Sequence, residues 1–159
     1  MPNSLFLVSF PQSSQNSNNF QYIKSAFSVR KSLCASIFLE CGKNTSPEII
    51  IRSLVHRMGY RYALHRSDLP GHPDIVLVRH KKIIFVHGCF WHMHNCRYGK
   101  VIPQTRKNFW QTKRRGNVLR DKRNLRKLRS VGWKVLIVWE CQTRALNTLS
   151  VKLSNFLKS

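Results

Sequence analysis

The sequence predicts an α/β layered domain in which a central mixed β-sheet is flanked by helices. Three observations lead to that class. Helical and extended patterns follow one another as helix, hairpin, helices, strand, helix. Asp74-Ile-Val-Leu-Val78 and Ile83-Ile-Phe-Val86 are β-branched and almost continuously apolar, as strands covered on both faces are. Trp133-Lys-Val-Leu-Ile-Val-Trp139 is the clearest strand of all.

The elements can be justified in chain order. Residues 1–43 are rich in Ser, Asn and Gln, carry one acid (Glu40) and show no sustained periodicity. Such a segment buries too little apolar surface to offset its ordering entropy, so a disordered or atypical N-terminal extension is expected there. Its Ser-rich, acid-poor, weakly basic character also matches an organellar transit peptide. The folded domain is expected over 44–159. Ser46-Pro47-Glu48 reads as a helix start, with Ser as N-cap, Pro in the first turn and an acid at the positive end. Ile50, Ile51, Leu54, Val55 and Met58 follow at helical spacing, and Gly59 stops the helix. Arg79-His-Lys-Lys82 joins the two hairpin strands. Gln104 to Val131 reads as helical with an interruption near Gly116. Beyond it Val118, Leu125 and Leu128 share one face, while six cations from Arg120 to Arg129 take the others. A final helix, about 147 to 157, presents Leu149, Leu153 and Phe156. No internal repeat is present.

Lys and Arg number 28 against 6 Asp plus Glu, a formal charge of +22. An imbalance of this size repels itself on compaction and is useful mainly beside a polyanion, nucleic acid first and an anionic membrane surface second. No run approaches the roughly 18 apolar residues of a membrane span, so no membrane partner is expected. The five cysteines form no disulfide framework, which points to a reducing interior. Cys34 and Cys41 have no histidine nearby and read as small hydrophobes.

The segment Val86-His-Gly-Cys-Phe-Trp-His-Met-His-Asn-Cys96 concentrates metal ligands and aromatics. Cys89, His94 and Cys96 form the compact pattern C-x4-H-x-C inside a polar loop, and zinc takes four thiolate or imidazole ligands in structural sites. Cys141, directly after the last strand, completes the set if that strand lies beside the hairpin. His87 and His92 are then left over. Among six acids in so basic a chain, Asp74 is distinctive. It follows the sharp Gly71-His-Pro73 turn, starts a strand, and can face the end of the partner strand at Val86 and His87. A Pro-Asp pair with a second metal-binding position about a dozen residues on is the layout of restriction-type nucleases, in which carboxylates hold a hard cation against the phosphodiester. The usual Glu-x-Lys of the second strand is here Phe85-Val-His87, without a carboxylate.

These residues resemble the very short patch repair endonucleases, bacterial enzymes that nick DNA beside a T·G mismatch. The matching stretches are Gly42–Glu48, Asp68-Leu-Pro-Gly-His-Pro-Asp74, Phe85-Val-His-Gly-Cys-Phe-Trp-His92 with Cys96, Phe109-Trp110 and Gly132–Cys141, spread over about 42 to 157. The resemblance implies a restriction-endonuclease-like fold with a structural Zn2+ and Mg2+-dependent cleavage of double-stranded DNA. It assigns Asp74 and the Val86 carbonyl to the magnesium, His92 as general base with Glu48 orienting the attacking water, and His87 to the scissile phosphate or its leaving group. It also implies that Phe90, Trp91 and Trp110 enter the base stack beside the mismatch, where unstacking is cheapest. Asn117 and Asp121 match positions near the active site, Asp121 as an outer partner only. By the same implication the protein is a monomer in the bacterial cytoplasm, associated with the nucleoid.

The thirteen cations between Arg97 and Arg129 suit phosphate contacts for a few and solvent for the rest. The chain departs from the family pattern in places. Met93 and Asn95 stand at the second and fourth positions of the His-rich run, which vary in the family, and neither can ligate as histidine would. Ala35-Ser-Ile-Phe-Leu-Glu-Cys41 stands where an Arg- and Met-containing helix normally grips the minor groove. That departure keeps a second reading open: a zinc-stabilised DNA-binding protein without catalysis.

Overall fold

The structure, a computed structural model, describes residues 44–159. The expectations for residues 1–43, including Cys34 and Cys41, lie outside the described residues.

Helix α1 (Ser46–Arg57) is followed by β1 (Ala63–Leu64), β2 (Ile75–Leu77) and β3 (Lys82–His87). A long helix α2 (Lys107–Ser130) leads to β4 (Lys134–Trp139), and α3 (Leu146–Lys158) closes the domain. The sheet order is β1-β2-β3-β4. β2 runs antiparallel to β3, with Ile75 opposite Ile84, and β4 runs parallel to β3, with His87 opposite Trp139. The sheet is therefore mixed, as the sequence predicts.

Period-two alternation divides the apolar residues between two cores. Ile75, Leu77 and Ile84 pack with Ile51 and Val55 of α1 and Leu149, Leu153 and Leu157 of α3. Val76, Ile83 and Phe85 face the opposite way, onto Leu128 and Leu125 of α2. Helices thus cover both faces, which is why these strands read as unbroken apolar runs.

Three local details differ from expectation. The N-cap of α1 is Thr45, not Ser46. Thr45-Ser-Pro-Glu48 has the S/T-x-x-E spacing, and the Glu48 carboxylate accepts from the Thr45 hydroxyl at 2.8 Å and from its N–H at 3.4 Å. Helix α2 runs unbroken through Gly116 and begins at Lys107. One exposed glycine costs a helix only about 1 kcal/mol, less than a face of packed side chains returns. Asp74 sits one residue before β2, beside the end of β3, and does not itself open the strand. Among the described residues no helix is long and apolar enough to cross a membrane.

Candidate functional site

Two clusters of chemically capable side chains form where β3 and β4 end. The first is set by strand register. His87 pairs with Trp139, so Cys89 and Cys141, each two residues further, meet: the Cys141 N–H points at the Cys89 sulfur at 3.4 Å. The loop after Cys89 then winds back through short-range bonds, His94 N–H to the Cys89 carbonyl and Lys100 N–H to that of Cys96, both 3.0 Å. A Cβ at Gly99 would run into the His94 carbonyl, so only glycine lets the chain return so closely.

The ligand atoms of Cys89, His94, Cys96 and Cys141 lie within 4.8 Å of one another. The His94 Nδ1 is 3.7 Å from the Cys89 sulfur and 3.5 Å from that of Cys141. A tetrahedron with metal–sulfur bonds near 2.3 Å and metal–nitrogen bonds near 2.0 Å has S···N edges of about 3.5 Å. The His94 ring is held in place by stacking on Trp139, centroids 4.2 Å apart. Burial pushes the Cys89 thiol well up. At Cys96 burial pushes the same way, but the Gly99 N–H, His94 and Cys89 outweigh it and hold that thiol down. These four residues fit a metal ion, with the donor set that suits zinc.

The second cluster lines a cleft of about 480 Å³ that includes Glu48, Asp74, His87, His92, Asp121 and Glu140. The Asp74 Oδ2 accepts the Val86 N–H at 2.7 Å, which ties the start of β2 to the end of β3. Burial pushes the Asp74 carboxyl up to about 6, against the pull of the Val86 N–H and with the nearby Glu48 charge adding to the rise. A carboxylate both desolvated and repelled is one that a bound cation would relieve. The Glu48 carboxylate is only 3% exposed and takes donors from Asn44, Thr45 and Arg52, the last at 2.6 Å.

His87 and His92 stack with ring centroids 3.9 Å apart. The His92 Nδ1 lies 2.5 Å from the Asp121 Oδ2. A carboxylate can only accept, so Nδ1 carries a proton directed at Asp121 and Nε2 is the nitrogen turned away from it. Burial, then the His92 charge, push His87 down to about 4, so its ring is neutral near pH 7. Desolvation pushes Asp121 up, but the His92 bond and the charges of His92, His87 and Arg120 prevail and leave it below its ordinary range.

A third feature borders the cleft. Phe90 lies 5.2 Å from Trp91 and 5.8 Å from Trp110, centroid to centroid, and Trp91 lies 5.9 Å from Trp110. Trp91 is 39% exposed, and Phe109 continues the group at 5.2 Å from Trp110. Asn117 donates to the Trp91 carbonyl at 3.2 Å.

Among the described residues, the site residues assigned from sequence fall into these three groups or border them. Three others emerge only in the fold. Arg52 bridges Glu48 and His65 Nε2, the latter at 2.9 Å, and His65 lies within 4.8 Å of the Glu48 and Asp74 carboxylates. Arg114 is buried beneath the aromatics. The Glu48–Arg52 spacing of four was a readable signal; His65 and Arg114 carried none.

A mixed sheet with Asp74 just before one strand and His87 ending the next, covered by helices on both faces, is the fold of a nuclease catalytic domain. The catalytic domain of the homing endonuclease I-Bth0305I has this fold, with a TM-score of 0.50 at 21% identity, over 71% of this chain and 94% of that one. The family model of the DNA mismatch endonuclease Vsr matches residues 28–98. The type II nicking enzyme V.XorIIP of Xanthomonas oryzae pv. oryzae is 48% identical over 115 residues, 72% of this chain and 84% of that enzyme. The DNA mismatch endonuclease Vsr of Escherichia coli is 43% identical over 108 residues, 68% of this chain and 69% of that one. The chain belongs to the Vsr family of DNA mismatch endonucleases.

Proposed function

We propose that the domain over 44–159 nicks one strand of duplex DNA beside a T·G mismatch by Mg2+-dependent phosphodiester hydrolysis, initiating very short patch repair, with Zn2+ held by Cys89, His94, Cys96 and Cys141. The observation that carries this reading is the convergence of Asp74, His87 and the His92–Asp121 pair in one cleft beside the aromatic group. Family membership and the chemistry of the cleft support it together.

The Asp74 carboxylate and the Val86 carbonyl would hold the magnesium ion. In an extended strand the N–H and C=O of one residue lie on the same edge, and the Val86 N–H already points at Asp74. When bound, magnesium polarises the phosphate and acidifies water. Asp121 fixes the His92 tautomer and steadies the cation that forms when Nε2 takes the proton of the attacking water. Neutral His87, stacked on that ring, donates a hydrogen bond to the phosphate or the leaving oxygen without repelling a protonated His92. Glu48 holds Thr45 and Arg52 at the rim and orients the water from there. Phe90, Trp91 and Trp110 stack into the weakened step, Asn117 steadies the Trp91 backbone, and cations of α2 bind phosphates and make affinity fall steeply with salt. One copy of the chain supplies every group, so a monomer working in the bacterial cytoplasm suffices.

The test is a nicking assay on T·G and T·A duplexes with and without magnesium. Nicking confined to the T·G duplex with magnesium is expected. Negligible cleavage of both, with tight salt-dependent binding, would leave a zinc-stabilised DNA-binding protein instead.

A further inference from the structure

One face of α2 contacts the loop after β3 residue by residue. Arg114 meets Phe90, Asn117 meets Trp91 and Asp121 meets His92. The spacing 114, 117, 121 is one helical face, so the helix presents a ruler against which three successive loop residues are set. The last contact belongs to the chemistry described above. The first has no role so far.

Arg114 is 4% exposed, and its three hydrogen bonds all go to backbone carbonyls. The Nε donates to Phe90 at 2.7 Å, one terminal nitrogen to Val101 at 2.9 Å and the other to Gly99. The guanidinium also lies 4.5 Å from the centre of the Phe90 ring. These carbonyls bracket the Cys89–Cys96 loop at both ends, so one planar fork pins the whole loop to α2. A buried cation satisfied only by carbonyls is costly to keep for packing alone. A fixed fork has a geometric use that a lysine, with its single flexible ammonium, does not reproduce.

We propose that Arg114 is the positioning residue for the aromatic group: it fixes Phe90 and Trp91 relative to His92, so that insertion into the base stack and alignment of the reacting phosphate occur together. This rests on the nicking activity proposed above. The consequence is specific. Loss of the fork should lower mismatch selectivity while sparing metal loading and general DNA affinity.

The experiment uses the full chain with Arg114→Met and, in case that variant does not fold, Arg114→Lys. Amide hydrogen exchange of the free proteins over 89–101 is followed with zinc content, matched-duplex affinity and single-turnover nicking of T·G and T·A duplexes. For Arg114→Met, exchange over 89–101 should quicken at least about tenfold while that of β2 and β3 stays the same. Zinc content should be unchanged. T·G selectivity should fall by about 10²-fold, the cost of a misplacement near 1 Å. Matched-duplex affinity should change by less than about threefold, because one charge among many is lost. Arg114→Lys keeps the charge and should recover only part of the selectivity. Unchanged exchange, or quickened exchange with selectivity intact, or complete rescue by lysine overturns the proposal. A wild-type chain that never prefers T·G overturns the nicking reading instead, and the exchange measurement still decides whether Arg114 holds the loop.

Discussion

His87 and Cys89 are two residues apart, yet they enter clusters of opposite character. Cys89, His94, Cys96 and Cys141 converge on one point with spacings that a single tetrahedral ion would satisfy. Asp74, Glu48, His87 and His92 converge as well, but with a carboxyl and an imidazole forced away from their charged forms by burial. The first corner is closed and ties two strands to a loop. The second stays open to a cleft and keeps its groups in states that cost folding energy, as sites prepared for a substrate do. The two corners are separated by a single residue, Gly88.

Removing a ligand from the closed corner should have the largest effect. Cys89→Ser should lose zinc and unfold the segment 88–101, a penalty of several kcal/mol given how much binding energy such sites couple to folding. Metal analysis and thermal denaturation check this, and full zinc retention with an unchanged Tm would contradict it. In the open cleft the same kind of change should act the other way. Asp74→Asn should reduce nicking by about 10³-fold or more. It should nevertheless stabilise the metal-free protein at pH 8. Folding raises the Asp74 carboxyl to about 6, so the stability it contributes is present below pH 3.8 and lost as pH rises through 6. The ionised group therefore opposes folding by roughly 3 kcal/mol at most, and asparagine keeps the acceptor for the Val86 N–H without the charge. A lower Tm for Asp74→Asn at pH 8 would remove this contrast.

Asp121→Asn should cost about 10²-fold in the single-turnover rate, since the amide can hold His92 in the wrong tautomer. Zinc content should not change, stability at neutral pH should fall because folding favours the ionised Asp121, and an unaltered rate would show that the 2.5 Å contact does not serve the reaction. The smallest effect is a slope. Folding holds His87 down near 4, so its contribution is full above pH 6.5 and fades as pH falls toward 4. Asp74 gains over nearly the same interval, and the two partly cancel. In Asp74→Asn protein the acid loss should stand uncovered, up to roughly 3 kcal/mol between pH 6.5 and 4; parallel curves for the two proteins would refute the coupling of signs.

How much of this was legible beforehand can be argued from particular residues. The apolar runs at 74–78, 83–86 and 133–139 announce a doubly covered sheet, because alternation disappears only when both faces are buried. The C-x4-H-x-C spacing points to a cluster able to hold a cation, and the fold brings these three side chains together with Cys141. Thr45-Ser-Pro-Glu48 also contains its own cap, and the spacing of three to Glu48 is a better guide than the serine nearest the proline. Gly116 misleads, since a local breaker is weighed against packing that only the fold supplies. Arg114 was indistinguishable from its neighbours in a run of cations. What turns it inward is the set of carbonyls that the folded loop brings to it.

The chain's own order of residues was enough to indicate the layered α/β class, the excess positive charge, the candidate ligands Cys89, His94 and Cys96, and Asp74 at a strand start, because these follow from composition and from spacings close in sequence. Tertiary structure alone decided that Asp121 meets His92 across 29 positions, that Arg114 clasps a loop and that His65 stands beside Asp74. Such pairings join elements distant in the chain, and their geometry is set by how helices settle on a sheet, which no local pattern records.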